Sequence, residues 1–218
     1  MRMFDGFIFD LDGTLASTNK IIFASFNFVI KKYLGKEYTD EEIISLFGPT
    51  EDTILKKFTG NQYPQARKDY YHFYEMHHDK MVTQYPQLIK IIKKIKNQNI
   101  PLGIFTGKGK ESTNITLKKI NAYKYFDLII TGDDVAEHKP HPEGINKFIE
   151  KFGIKNERVL MIGDAPTDIK AAKSANVKIA SVLWDSYSRS LILNENNFDY
   201  VFHTIAEFKN FINEQLSY

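Results

Sequence analysis

The stretch Phe7-Ile8-Phe9-Asp10-Leu11-Asp12-Gly13-Thr14 decides how this chain is read. Phe7-Ile8-Phe9 reads as a buried strand. Asp10 and Asp12 stand at its end, and side chains two residues apart in extended backbone share a face. Two carboxylates that close repel unless a cation or a proton offsets them. Gly13 then lets the backbone turn sharply. Open α/β sheets place their ligand sites at strand ends of this kind. The same residue types also make an ordinary strand-to-turn exit, so the pair acquires meaning only from the rest of the chain.

Other strand ends carry similar residues. Asp164 follows the apolar run Val159-Leu160-Met161-Ile162-Gly163, and Asp168 comes one helical turn later. Thr106 follows Leu102-Gly103-Ile104-Phe105 and precedes Gly107, and Lys139-Pro140 lies in a loop before a helical segment. With Phe9-Asp10-Leu11-Asp12-Gly13-Thr14-Leu15 and Gly163-Asp164-Ala165-Pro166-Thr167-Asp168, these segments resemble the haloacid dehalogenase-like superfamily of phosphohydrolases. All four family motifs are present, in the family's order, between residues 9 and 168.

From Pro101 onward, strands and helices alternate: strands 101–106, 127–131, 158–163 and 177–182, helices 111–120, 142–152 and 168–174. A short strand near Tyr200-Val201 and a helix from Ile205 to Leu216 follow. Alternation implies parallel strands joined by crossovers. Residues 15–80 differ. Ile21, Ile22, Phe26, Val29, Ile30 and Tyr33 recur at helical spacing. Thr39-Asp40-Glu41-Glu42 opens a second helix with a capping residue and first-turn acids. Residues 51–58 and 65–80 suggest two more helices, and no strand is evident. The fold class is therefore α/β: a parallel-sheet core, residues 1–15 and 82–218, with an all-helical insert, residues 16–81. Hinges are expected near 16–18 and 82–85. The resemblance implies the same architecture, a Rossmann-like core with a helical cap after the first motif.

Composition narrows the classes. A chain of 218 residues needs no staples to bury a core. It has no cysteine, which rules out disulfides and thiol catalysis and fits a cytoplasmic location. The net charge of +2 gives no electrostatic case for nucleic acid. The longest apolar stretch, Ile21 to Ile30, falls short of the roughly 20 residues of a membrane span. Acids at Asp5, Asp10 and Asp12 argue against a signal peptide. Oligomeric state is not legible.

Phosphate monoesters hydrolyse very slowly unaided. The reaction can be divided: a carboxylate attacks phosphorus, and water then cleaves the acyl phosphate. The attacking anion's charge must be offset, and Mg²⁺ suits carboxylates combined with phosphate. Asp10 and Asp164 offer hard oxygens on strand ends, and Asp168 can act from an outer shell. Thr106 and the backbone around Gly107 can hold phosphoryl oxygens, Lys139 can neutralise them, and Asp12 can move the proton. The resemblance implies the same roles. Asp10 is the nucleophile and Asp12 the general acid/base. Thr14 orders the turn, and Thr106 and Lys139 bind the phosphoryl group. The metal is held by Asp10, Asp164, Asp168 and the carbonyl of Asp12.

Several features read more plainly. Gly107-Lys108-Gly109-Lys110-Glu111-Ser112 half-resembles a dinucleotide fingerprint, but Ser112 replaces its last glycine. His72, His77 and His78 lack the spacing of a zinc pair and read as solvated or packed. The basic residues of the insert, among them Lys31, Lys32 and Arg67, read as a solvated face, and Trp184 reads as packing.

The expected activity is a Mg²⁺-dependent phosphatase acting on a small phosphorylated metabolite. A sugar-phosphate mutase would use the same residues. A dehalogenase would need neither Asp12 nor a metal, and a non-enzymatic phospho-receiver would lack the insert. The segment Phe47-Gly48-Pro49-Thr50-Glu51 resembles the cap loop of phosphoglycolate phosphatase-like and pyrophosphatase-like members, so Gly48, Pro49 and Thr50 are expected to face Asp10. Phosphoglycolate, pyrophosphate, sugar phosphates and nucleotide monophosphates all remain open as substrates.

Overall fold

The computed structural model describes residues 3–185 and 197–217. Strand β1 (Gly6–Phe9) lies between β4 (Leu102–Phe105) and β6 (Val159–Gly163), and the six-stranded sheet runs β5-β4-β1-β6-β7-β8. Its other strands are β5 (Leu128–Ile130), β7 (Lys178–Val182) and β8 (Tyr200–Phe202). Every neighbouring pair is parallel. Parallel strands are covered on both faces, which is why β1, β4 and β6 are uninterrupted buried runs rather than alternating ones.

The two faces feed separate cores. Phe7, Phe9, Ile104 and Ile162 point to one side with Phe208 and Ile212 of the last helix; Ile8, Phe105 and Met161 point to the other, with Ile145, Phe148 and Ile169. The period of two along β1 sets this division. The strand order reverses direction between β1 and β6, β4 and β5 lying to one side and β7 and β8 to the other, and open α/β sheets bind ligands at the carboxyl ends beside such a switch point.

The insert holds α1 (Asn19–Leu34), α2 (Asp40–Ile44), α3 (Glu51–Thr59) and α4 (Tyr63–Met81). Thr39 and Glu42 form a reciprocal capping box at α2. Gly35, at φ 64°, ends α1 in the left-handed region. Helix α1 packs on α4 through aromatic pairs, with Phe26 and Tyr70 at 5.0 Å between ring centres and Phe28 and Phe73 at 4.7 Å.

One expectation needs correction. The margins of the insert are not simple linkers: β2 (Ala16–Ser17) and β3 (Thr83–Gln84) pair as an antiparallel ribbon, Ala16 with Gln84 and Ser17 with Thr83. Two residues per strand are too few for a periodic pattern, and both residues of β3 are exposed and polar, so no local signal marks them. The remaining helices are α5 (Pro86–Lys96), α6 (Lys110–Lys119), α7 (Glu143–Phe152), α8 (Pro166–Ser174) and α9 (Ile205–Gln215). No helix among the described residues is long and apolar enough to cross a membrane.

Candidate active site

Asp10 follows β1 directly, and its backbone N–H donates to the Ile162 carbonyl at 2.8 Å, so β1 and β6 hold it together. Asp164 follows β6. Asp168 lies in the first turn of α8, where its carboxylate accepts from the Ala165 N–H at 3.0 Å. All three acids are buried, and their carboxylate oxygens lie within 4.8 Å of one another. The close approach depends on Gly13. It sits at φ 77°, and a Cβ there would collide with the Asp164 carboxylate. Thr14, fully buried, donates through its hydroxyl to Asp164 Oδ1 at 3.0 Å.

Lys139 reaches into this acid cluster. Its Nζ donates to Asp10 Oδ1 at 2.8 Å, Asp168 Oδ1 at 2.6 Å and the Phe105 carbonyl at 3.1 Å. Burial pushes the Asp10 carboxyl up; Lys139 opposes this, Asp168 adds to it, and the net direction is upward. Burial alone would lower the Lys139 pKa, but Asp10 and Asp168 outweigh it and hold the amine above its ordinary value. The site is thus a buried lysine ammonium set among carboxylates.

Thr106 follows β4 directly, and its N–H donates to the Ile130 carbonyl at 3.1 Å. Its hydroxyl accepts from the Lys108 N–H at 3.2 Å, which fixes the turn through half-buried Gly107. Asp12 stands apart from the three-acid cluster. Its Oδ1 accepts from the Thr18 hydroxyl at 2.5 Å, and its Oδ2 lies 3.4 Å from Lys108 Nζ. The Asp12 carboxylate is thus held by a hydroxyl on one oxygen and faces an ammonium on the other.

Of the expected cap residues, only Thr50 is drawn in. It is buried and lies against the core turns, where a Cβ on Gly132 would meet its methyl group at 2.6 Å. Gly48 and Pro49 are exposed. The next residue, Glu51, reaches the core instead and meets Lys108 there; both lie in segments the sequence singles out, but neither is given a role by it, because they meet only across the cap–core boundary. Trp184 does more than pack: its Nε1 donates to the Thr14 carbonyl at 3.0 Å and so pins the turn after Asp12. His78 is fully buried, with Nε2 3.3 Å from the Thr116 hydroxyl on α6. His77 stacks on Phe73 at 4.1 Å.

The haloacid dehalogenase-like hydrolase family model matches residues 7–182, a span that takes in every strand end just described. The chain belongs to the haloacid dehalogenase-like hydrolases. Pyrophosphatase PpaX of Bacillus cereus (strain AH820) is 32% identical over 185 residues, covering 85% of this chain and 86% of that protein. Among solved structures, a predicted phosphoglycolate phosphatase from Haemophilus somnus 129PT superposes with a TM-score of 0.82 at 21% identity, covering 97% of this chain and 99% of that one. A Thermotoga maritima protein assigned as a beta-phosphoglucomutase gives 0.73 at 24% identity, covering 96% and 98%. These two likenesses establish the shared fold.

Proposed function

We propose that this hydrolase is a Mg²⁺-dependent phosphatase of a small phosphorylated metabolite, working through an aspartyl-phosphate on Asp10. One observation carries the reading: the Asp10 carboxylate stands at the end of the central strand, buried among Asp164 and Asp168, with Lys139 on its Oδ1. An Asp10 oxygen attacks phosphorus, forming one O–P bond as the bond to the leaving oxygen breaks. Asp12 delivers a proton to that oxygen. Water then attacks the acyl phosphate, Asp12 takes the water's proton, and phosphate leaves with Asp10 restored. Thr106, the backbone at Gly107 and Lys139 hold the transferring oxygens. The donor set fits a hard cation: the carboxylates of Asp10, Asp164 and Asp168, with the Asp12 carbonyl, would hold Mg²⁺. When bound, Mg²⁺ offsets the charge of nucleophile and phosphoryl group.

Residues 16–81 serve in this reading as a cap that closes over the core, residues 1–15 and 82–218, to shield the acyl phosphate during transfer. Thr50 is the member of the Gly48-Pro49-Thr50 loop placed to screen substrates. The relationship to a pyrophosphatase favours water over a sugar hydroxyl as the final acceptor, and so favours a phosphatase over a mutase. The cysteine-free chain suits the cytoplasm. A screen of phosphorylated metabolites with Mg²⁺, with pyrophosphate and phosphoglycolate in the first tier, tests the assignment. Turnover of none of them, and of no aryl phosphate, would refute it.

Two consequences are measurable. In Asp12→Ala, Asp10 can still attack a substrate with a good leaving group, but water lacks its base. The enzyme is expected to accumulate one phosphoryl group, visible by intact mass, and wild-type turnover would remove Asp12 from proton transfer. Mg²⁺ at about ten times its Kd should stabilise the fold by roughly 1.4 kcal/mol. For a chain of this size that raises Tm by about 3–6 °C. A melt indifferent to both Mg²⁺ and chelator would argue that no metal is held.

A further inference from the structure

The carboxylate of Glu51 is the one acid that the helical insert buries in the core. Glu51 is the first residue of α3, and its side chain is 7% exposed. Its Oε2 accepts from the Gly109 N–H and its Oε1 from the Ser112 hydroxyl, each at 2.6 Å. Gly109 is the N-cap of α6 and Ser112 lies in its first turn. Lys108 Nζ lies 3.5 Å from Glu51 Oε1 and 3.4 Å from Asp12 Oδ2. The glycine-rich turn that half-resembles a dinucleotide fingerprint thus receives a carboxylate of the same chain. Gly109 is required for this fit, since a Cβ there would come within 2.6 Å of Glu51 Oε2.

Lys108 is the second observation. Its side chain is 1% exposed, and its ammonium has no hydrogen-bond partner among the described residues. An ammonium with three donors is costly to bury without hydrogen bonds unless charges close by offset it. Three groups surround it: Asp12 from the core, and Glu51 and the Tyr74 ring, 4.9 Å away, from the insert. Burial alone would lower its pKa; Asp12, Tyr74 and Glu51 reverse that and raise it. Two of its three partners arrive only when the insert is seated. Among the described residues the other ion pairs across this boundary, Arg67 with Glu111 and Lys119 with Asp79, are substantially exposed and so weak.

We propose that Glu51 is the latch of the cap and a positioning residue for the acid–base end of the site. As the cap closes, Glu51 docks on Gly109 and Ser112 at the head of α6 and holds Lys108 beside Asp12. Closure and completion of the leaving-group side are then one event. The charge neutralised at Lys108 belongs half to the core and half to the cap, so the site is electrostatically complete only when shut. The inference rests on the phosphatase reading for its catalytic consequence, but not for the docking itself.

The test approaches the latch from both sides. Glu51→Gln keeps the shape and removes the charge; Ser112→Ala removes a donor from the core. Because the chain has no cysteine, a spin-label pair on cysteines introduced at exposed Lys57 (α3) and Lys118 (α6) reads the cap–core distance without background. Each variant is expected to broaden that distance distribution toward longer separations. Each should also lower kcat/KM about tenfold, the scale of one charge-assisted hydrogen bond. The double variant should fall no further than the worse single one, the signature of a shared contact. Lys56→Gln, on an exposed part of α3, is the control and should change neither readout. Unchanged distances in Glu51→Gln, in a protein that melts as the wild type does, would overturn the latch. Additive losses in the double variant would overturn the pairing with Ser112. If no phosphate ester is turned over, the phosphatase reading fails while the label distances still decide the latch.

Discussion

Asp10→Asn is expected to abolish turnover while leaving the protein folded. The amide nearly matches the carboxylate in shape, so the position between β1 and β6 and the backbone bond to Ile162 are kept. It is not nucleophilic, and it is a poor ligand for a hard cation. The loss should reach at least about 10³-fold, some 4 kcal/mol of barrier. The variant's Tm should stay near or above that of the wild type, because one buried charge has been removed from a crowded group of acids. Retention of more than a tenth of the wild-type rate by the purified variant would show that another residue attacks.

Lys139→Ala should fail in the opposite way, losing both stability and rate. Removing the ammonium leaves Asp10 and Asp168 facing each other with no cation between them. Breaking a buried pair by deleting one partner costs about 3–5 kcal/mol, or a fall in Tm of roughly 10 °C for a chain of this length. The penalty has a sign in pH. Asp10 is already pushed upward, by burial first and by Asp168, and without Lys139 it moves further up. A carboxyl with a raised folded pKa favours the fold when protonated and loses that contribution as pH rises through the folded pKa. The gap between variant and wild type should therefore narrow as pH is lowered into the carboxylate range and be widest at neutrality. Thermal melts across that range in metal-free buffer measure it; a gap constant with pH would mean that Lys139 contributes packing alone.

The sheet was legible because its strands are short apolar runs bounded by Gly, Pro and Asp. The run read as 158–163 is β6 at Val159–Gly163, and the run read as 177–182 is β7 at Lys178–Val182. The convergence of Asp10, Asp164, Asp168 and Lys139 was legible because Asp10 and Asp164 follow strands of a parallel sheet, whose carboxyl ends gather ligands, while Asp168, one helical turn on, and Lys139, in a loop, were picked out with the resemblance to the family motifs. What could not be read is where two parts of the chain meet without local pattern. Glu51 looked like any first-turn acid and Lys108 like a loop lysine. Their meaning comes from Glu51 reaching Lys108 and the adjacent Gly109, the latter 58 residues further along the chain. His78 is another instance: it is buried and meets Thr116 of α6, a partner that no helical spacing within α4 could report. The β2–β3 ribbon escaped for the same reason, being two residues deep on each side.

That ribbon has a bearing on ancestry. Ala16 lies opposite Gln84 and Ser17 opposite Thr83, so the segment between them leaves the core and returns to it at a single seam. A unit whose ends already touch can be exchanged for another of different length or sequence without shifting the register of β1, β4 or β6, since closing a long loop costs little more than closing a short one. On the function proposed above, an exchange at this seam would replace the part that screens molecules and leave Asp10 and Asp164 in place. A chimera that grafts a relative's insert between Ser17 and Thr83 should carry the donor's choice of molecule with the recipient's chemistry.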